Sequence, residues 1–153
     1  MTLSEIPGSL KRLSRTPWQF QQTFHTPLQN LPAFVTAILE VRNSIRDGCV
    51  TIDSVVVEPR HLTALLASCS ISGPLCRGSC IVAMGQVETH ALLLAAFSDP
   101  VDFWFVPAPK SFAIYADHDE FTTFCAVTKS NLNGVVLALS EAGFERVDYS
   151  RRF

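Results

Sequence analysis

The amino-acid sequence predicts one α+β domain, with an antiparallel or mixed sheet, helices mainly on one face, and a C-terminal β-β-β-α-β unit. Three observations carry this. The chain has 153 residues, the size of a single domain, and 48% of them are hydrophobic, an ordinary supply for a core that needs no disulfide or metal staples. Apolar residues recur at helical spacing in some segments and alternate, or run β-branched, in others. The last third reads as three short strands divided by turn residues, then a helix and one more strand, an order that favours antiparallel or mixed pairing.

Within this single domain, 1–153, the first thirty residues (1–30) are expected to form a loosely attached N-terminal arm. Thr16-Pro17 and Thr26-Pro27 disfavour continuous helix. Trp18, Phe20 and Phe24 between them need burial, so the arm should pack across the body, with a short helix at 9–15. A helix over 31–47 follows, because Phe34, Val35, Ile38, Leu39, Arg42 and Ile45 fall at helical spacing and only Arg42 breaks the apolar stripe. Asn30 is placed to cap it, Pro32 fits its first turn and Gly48 suits its stop. The segment 49–57 reads as a strand, with β-branched Val50, Thr51, Ile52, Val55, Val56 and Val57. Pro59 starts a short helix carrying Leu62, Leu65, Leu66 and Cys69 on one side. Gly73, Pro74 and Gly78 make 70–79 a loop, 81–84 a short strand follows, and a helix over 88–97 ends at Asp99-Pro100.

The C-terminal unit begins with a strand at 101–106, in which Val101, Phe103 and Phe105 face one way and Asp102 and Trp104 the other. Pro107 and Pro109 lead to a second strand at 112–116, and the polar turn Asp117-His118-Asp119-Glu120 leads to a third at 121–127. Ser130 is placed to cap a helix with the stripe Leu132, Val135, Val136 and Leu139. Gly143 ends that helix, and 144–149 returns as a strand.

Composition limits the function classes. Charged residues make up 17%, and the net charge is −2, so there is no basic field to attract phosphates and no nucleic acid partner is expected. Lys11, Arg12 and Arg15, and Arg151 and Arg152, read as solvated basic termini. No apolar run is long enough for a membrane span, and the first residues lack the pattern of a secretory signal. Five cysteines, an odd number, fit reduced thiols in a cytoplasmic protein, each behaving as a small hydrophobe. The low surface charge leaves room for a partner or for a homo-oligomer.

Candidate functional residues are few. Asp117, His118, Asp119 and Glu120 put three carboxylates and an imidazole at one turn, a set suited to a hard metal ion, an acid–base pair or a basic partner. Alternation along a strand keeps all four from converging, and Asp is also an ordinary turn residue. Trp104, Tyr115 and Phe124 would form an aromatic stripe on the face opposite the helices, either an exposed binding surface or a second core layer under the N-terminal arm. Cys69, Cys76, Cys80 and His90 are zinc-ligand types without the close-paired spacing of zinc sites. The segment Gly73-Pro-Leu-Cys-Arg-Gly-Ser-Cys80 imitates a phosphate loop, but serine stands where lysine is needed and Pro74 removes a backbone donor. Cys125 and His118 differ by an odd number of positions and so face opposite sides of a regular strand, and His25 and His61 have no informative neighbours.

The expectation is therefore a non-enzymatic binding protein, with no catalytic residues, metal or cofactor. It would be of an inhibitor or immunity type, using Asp117, His118, Asp119 and Glu120 with Trp104 and Tyr115 against another protein, one with a basic surface. The alternatives are a metal-dependent hydrolase centred on the same acids, and a small-molecule sensor with a pocket beneath Trp104 and Tyr115.

Overall fold

The computed structural model describes residues 1–41 and 45–152. Among these, eight strands and five α-helices form one α+β domain. In chain order they are β1 (Thr2–Glu5), α1 (Ser9–Arg15), β2 (Phe20–His25), α2 (Leu31–Leu39), β3 (Asp47–Val55), α3 (Arg60–Ser68), β4 (Ser79–Ala83), α4 (Gln86–Ser98), β5 (Val101–Ala108), β6 (Ala113–Ala116), β7 (Phe121–Ala126), α5 (Lys129–Glu141) and β8 (Arg146–Val147). The strands make a single sheet in the order β1-β4-β3-β5-β6-β7-β2-β8, and every neighbouring pair is antiparallel. The C-terminal β-β-β-α-β unit is β5-β6-β7-α5-β8.

Helices α2 to α5 cover one face. Their apolar sides meet Val50, Ile52, Ile81, Phe103, Phe105, Ile114 and Phe124 of the strands in one buried core. Phe34 of α2 lies at its middle, with ring centroids 5.0 Å from Phe144, 5.6 Å from Phe97 and 6.4 Å from Phe124, all edge to face. On the opposite face, Leu13 of α1 and Trp18 pack with Trp104, Ala113 and Tyr115, and the C-terminal segment lies over Tyr115 and Thr23.

Segment 1–30, expected as a loosely attached arm, supplies two strands of the sheet as well as the helix at Ser9–Arg15. β1 is an edge strand on β4, and β2 lies between β7 and β8. Phe24 thereby enters the helix-side core while Trp18 covers the other face. The helix expected over 31–47 ends at Leu39 and Asp47 already belongs to β3, while positions 42–44, with Arg42, lie outside the described residues. Gly48 is a strand residue rather than a helix stop. A Cβ there would fall on the Phe105 ring, so the close approach of β3 to that ring requires glycine. At α5 the cap is Thr128, whose hydroxyl accepts from Asn131 N–H at 3.3 Å, and not Ser130. Gly143, at φ +84°, turns the chain out of α5, and Phe144 N–H closes back on the Leu139 carbonyl at 3.0 Å. The last strand contracts to Arg146–Val147.

Register corrects the proposed aromatic stripe. Trp104 pairs with Tyr115, and Tyr115 with Thr123, so Thr123 stands beside the two rings and Phe124 points into the helix-side core. Thr123 in turn bonds Thr23 of β2, hydroxyl to hydroxyl, at 2.9 Å.

Candidate functional site

The face opposite α2 to α5 carries the polar chemistry. Along β3 the side chains of Cys49, Thr51 and Asp53 alternate onto it, and along β5 those of Asp102, Trp104 and Val106. Trp104 and Tyr115 are 2% and 3% exposed, so they form the floor of this face and not a displayed stripe. Trp104 meets Trp18 with ring centroids 6.1 Å apart and Tyr115 at 5.0 Å.

A chain of alternating charges runs across that floor. Arg77, on the loop before β4, pairs with Asp53 at 3.2 Å. The Tyr115 hydroxyl donates to the other Asp53 oxygen at 3.1 Å. Arg151 lies with its guanidinium 4.0 Å over the Tyr115 ring, donates to the Tyr115 oxygen at 3.2 Å, and pairs with Asp117 at 2.7 Å. Burial, with help from Asp102 and Asp53, holds the Tyr115 hydroxyl well above its ordinary pKa of 10.0 against the opposing pull of Arg151, so it remains a donor. The C-terminal segment is strapped down to deliver Arg151. Gln21 exchanges bonds of 3.0 and 2.9 Å with the Arg151 backbone, and Thr23 donates to the Tyr149 carbonyl at 2.8 Å.

The turn 117–120 divides. Asp117 faces inward, spending one oxygen on Arg151 and the other on Phe121 N–H at 3.0 Å. His118 folds back on Asp102, which accepts from its backbone N–H at 2.9 Å and lies 2.8 Å from Nδ1. That hydrogen bond, aided by the charge of Asp102, raises the His118 pKa above 6.5. Asp119 and Glu120 are left exposed, with Glu120 in the left-handed region at φ +66°. The acids therefore do not converge. Among the described residues no group of three or more His, Cys, Asp or Glu is placed to hold a metal ion. The hydrolase alternative thus lacks a donor set on this turn. The zinc-type residues are likewise dispersed: Cys69 is exposed, Cys76 lies near Glu5, Cys80 meets Cys49, and His90 contacts Thr36.

Two recesses flank the Arg77–Asp53 pair. One, of about 650 Å³, lies between the start of α1 and the sheet and is lined by Glu5, Lys11, Ser14, Asp53, Arg77 and Trp104 among others. The second, of about 610 Å³, continues past the pair to Asp102, Tyr115 and Arg151. Sequence reasoning singled out Trp104 and Tyr115 but missed Asp53, Arg77 and Arg151. Alternation along 49–57 could have placed Asp53 with Thr51 on one face. For Arg77, in an irregular loop, and Arg151, near the chain end, no local signal exists, because their roles depend on long-range placement.

The fold and site together define a single-domain α+β protein with an eight-stranded antiparallel sheet, one face of which is only partly covered. No family model, curated protein or solved structure matches the chain. No helix among the described residues is long and apolar enough to cross a membrane.

Proposed function

We propose that this chain is a non-enzymatic binding protein whose ligand lies in the groove between α1 and the C-terminal segment. The observation that supports this most is the make-up of the groove: an indole in the floor, with Glu5, Lys11, Asp53 and Arg77 around it. Ligand sites combine an apolar base with a few placed polar groups. The ligand that fits has an aromatic or apolar body and charges of both signs, as a short segment of another protein does. The Arg77–Asp53 pair is exposed enough to exchange partners, Arg77 being 75% exposed, so each half can turn to a ligand carboxylate or cation.

Short peptides with an aromatic residue between a basic residue and a free carboxylate provide the probe, read by intrinsic tryptophan fluorescence. A saturable response is expected, weakened at least about tenfold by Arg77→Ala or Asp53→Asn, since a charged pair lost at the centre of a contact costs that much. Saturable binding indifferent to both substitutions, or no response across the peptide set, overturns the reading.

The exposed carboxylates of Asp119 and Glu120 favour a second contact with a basic partner protein. Neutralising both, as Asp119→Asn with Glu120→Gln, should then slow association and flatten its salt dependence while the fold persists.

A further inference from the structure

We propose that Cys49 and Cys80 form a two-electron oxidation site, a dithiol that a hydroperoxide converts to a disulfide. Cys49 of β3 stands opposite Val82, and Cys80 of β4 opposite Thr51. The two cysteines are thus diagonal neighbours on the same face, the one beneath α1, and their Sγ atoms are 2.6 Å apart. That separation lies inside van der Waals contact for two sulfurs and needs only a small closure to reach a bond. They sit in a recess of about 270 Å³ beneath α1, bordered by Ser9, Arg12, Leu13, Val106 and Lys110. The recess has room for a peroxide molecule, which is little larger than water.

The two thiols are not equivalent. The contact with Cys49 lowers the Cys80 pKa, against the opposing effect of burial and with a smaller contribution from the Thr51 hydroxyl. The same contact, together with burial, raises the Cys49 pKa. The charged groups bordering the recess are Arg12 of α1 and Lys110 of the β5–β6 connection, both of the sign that favours a thiolate. The other cysteines lack this arrangement. Cys125 is buried, which pushes its thiol up to about 12. Cys76 has the Glu5 carboxylate 3.7 Å away, and Cys69 is exposed on the far end of α3.

The chemistry balances without any further reactant. The Cys80 thiolate attacks one peroxide oxygen, the S–O bond forms, the O–O bond breaks, and the departing hydroxide takes up a proton. Cys49 then attacks the Cys80 sulfur, the S–S bond forms, the S–O bond breaks, and the second hydroxide leaves as water with the Cys49 proton. Two thiols and one hydroperoxide give one disulfide and two waters, or a water and an alcohol from an alkyl hydroperoxide.

The test treats the folded, reduced protein with hydrogen peroxide and reads intact mass and peptide maps. The wild type should lose about 2 Da and yield a peptide joining Cys49 to Cys80. In Cys49→Ser, Cys80 should stop at the sulfenic acid, trapped by dimedone. In Cys80→Ser, reactivity at position 49 should fall at least about tenfold, following the loss of the thiolate. The wild-type measurement decides even if a variant fails to fold. A cross-link between other cysteines, oxygen addition at Cys80 without a disulfide, or a Cys49–Cys80 pair left reduced after Cys69 and Cys76 have reacted would each overturn the proposal.

Discussion

Single side chains decide much of this structure. Asp99 follows α4 in sequence and caps α3 in space. Its 2%-exposed carboxylate accepts from His61 N–H at 3.0 Å and Leu62 N–H at 2.8 Å, and lies 2.8 Å from His61 Nδ1. Asp99→Ala should cost about 1–3 kcal/mol in a denaturant titration, because buried donors lose their acceptor. A cost near zero would mean that water satisfies those donors. The same residue illustrates the limit of local reading. Asp99-Pro100 is legible as a helix stop, but its role as a cap for a helix nearly forty positions earlier is set by tertiary placement. His118 gives a residue-scale prediction in pH. Its folded pKa is raised by Asp102, so its contribution to stability is full below the ordinary 6.5 and is lost as pH rises through the higher folded value. Titration of its ring by NMR should show the raised value, and Asp102→Asn should bring it back down. An ordinary value in the wild type would remove the Asp102 contact.

At the scale of elements, strong periodicity was enough to find most helices and strands, and weak or mixed periodicity was not. α3 and α5 stand close to their expected bounds because an apolar stripe and a turn residue agree on each, and α4 does so because Asp99-Pro100 marks its stop. α2 was overextended, since Ile45 prolongs the stripe while the chain leaves the helix at Glu40 and closes with Ile45 N–H on the Leu39 carbonyl at 2.8 Å. β2 was missed because its inward residues are few: Phe24 enters the core, while Gln21 and Thr23 serve the C-terminal segment. That segment is integral by its packing. Val147 pairs with Thr23, and Phe144 meets Phe34 edge to face. Removing residues from 144 onward should abolish cooperative unfolding, because each buried side chain uncovered costs about 1.5–3 kcal/mol, and a domain holds only about 5–15 kcal/mol. A soluble truncation with a sharp thermal transition would contradict this. Gly48→Ala is a narrower probe of the same sheet. Its Cβ meets the Phe105 ring, and the substitution should destabilise by about 1–3 kcal/mol through overpacking.

For the whole molecule, strand order creates the site. β3 and β5 are neighbours although α3, β4 and α4 intervene in sequence, and this pairing, with its register shift between Ile52 and Ser54, puts Asp53 on the same recesses as Trp104 and Asp102. β6 adds Tyr115, and the chain end, laid along β2, adds Arg151. The fold class was visible in composition and periodicity, but the groove exists only once register and order are fixed. The proposed ligand carries both charges and lies on this half-covered face. The most direct measurement is NMR shift mapping on the labelled protein during titration with an aromatic-centred peptide bearing one basic residue and a free carboxylate. Saturable shifts gathered at Lys11, Asp53, Arg77 and the Trp104 indole are expected, with α2 to α5 unmoved. Shifts gathered on the helix-covered face, or none at saturating peptide, would contradict this.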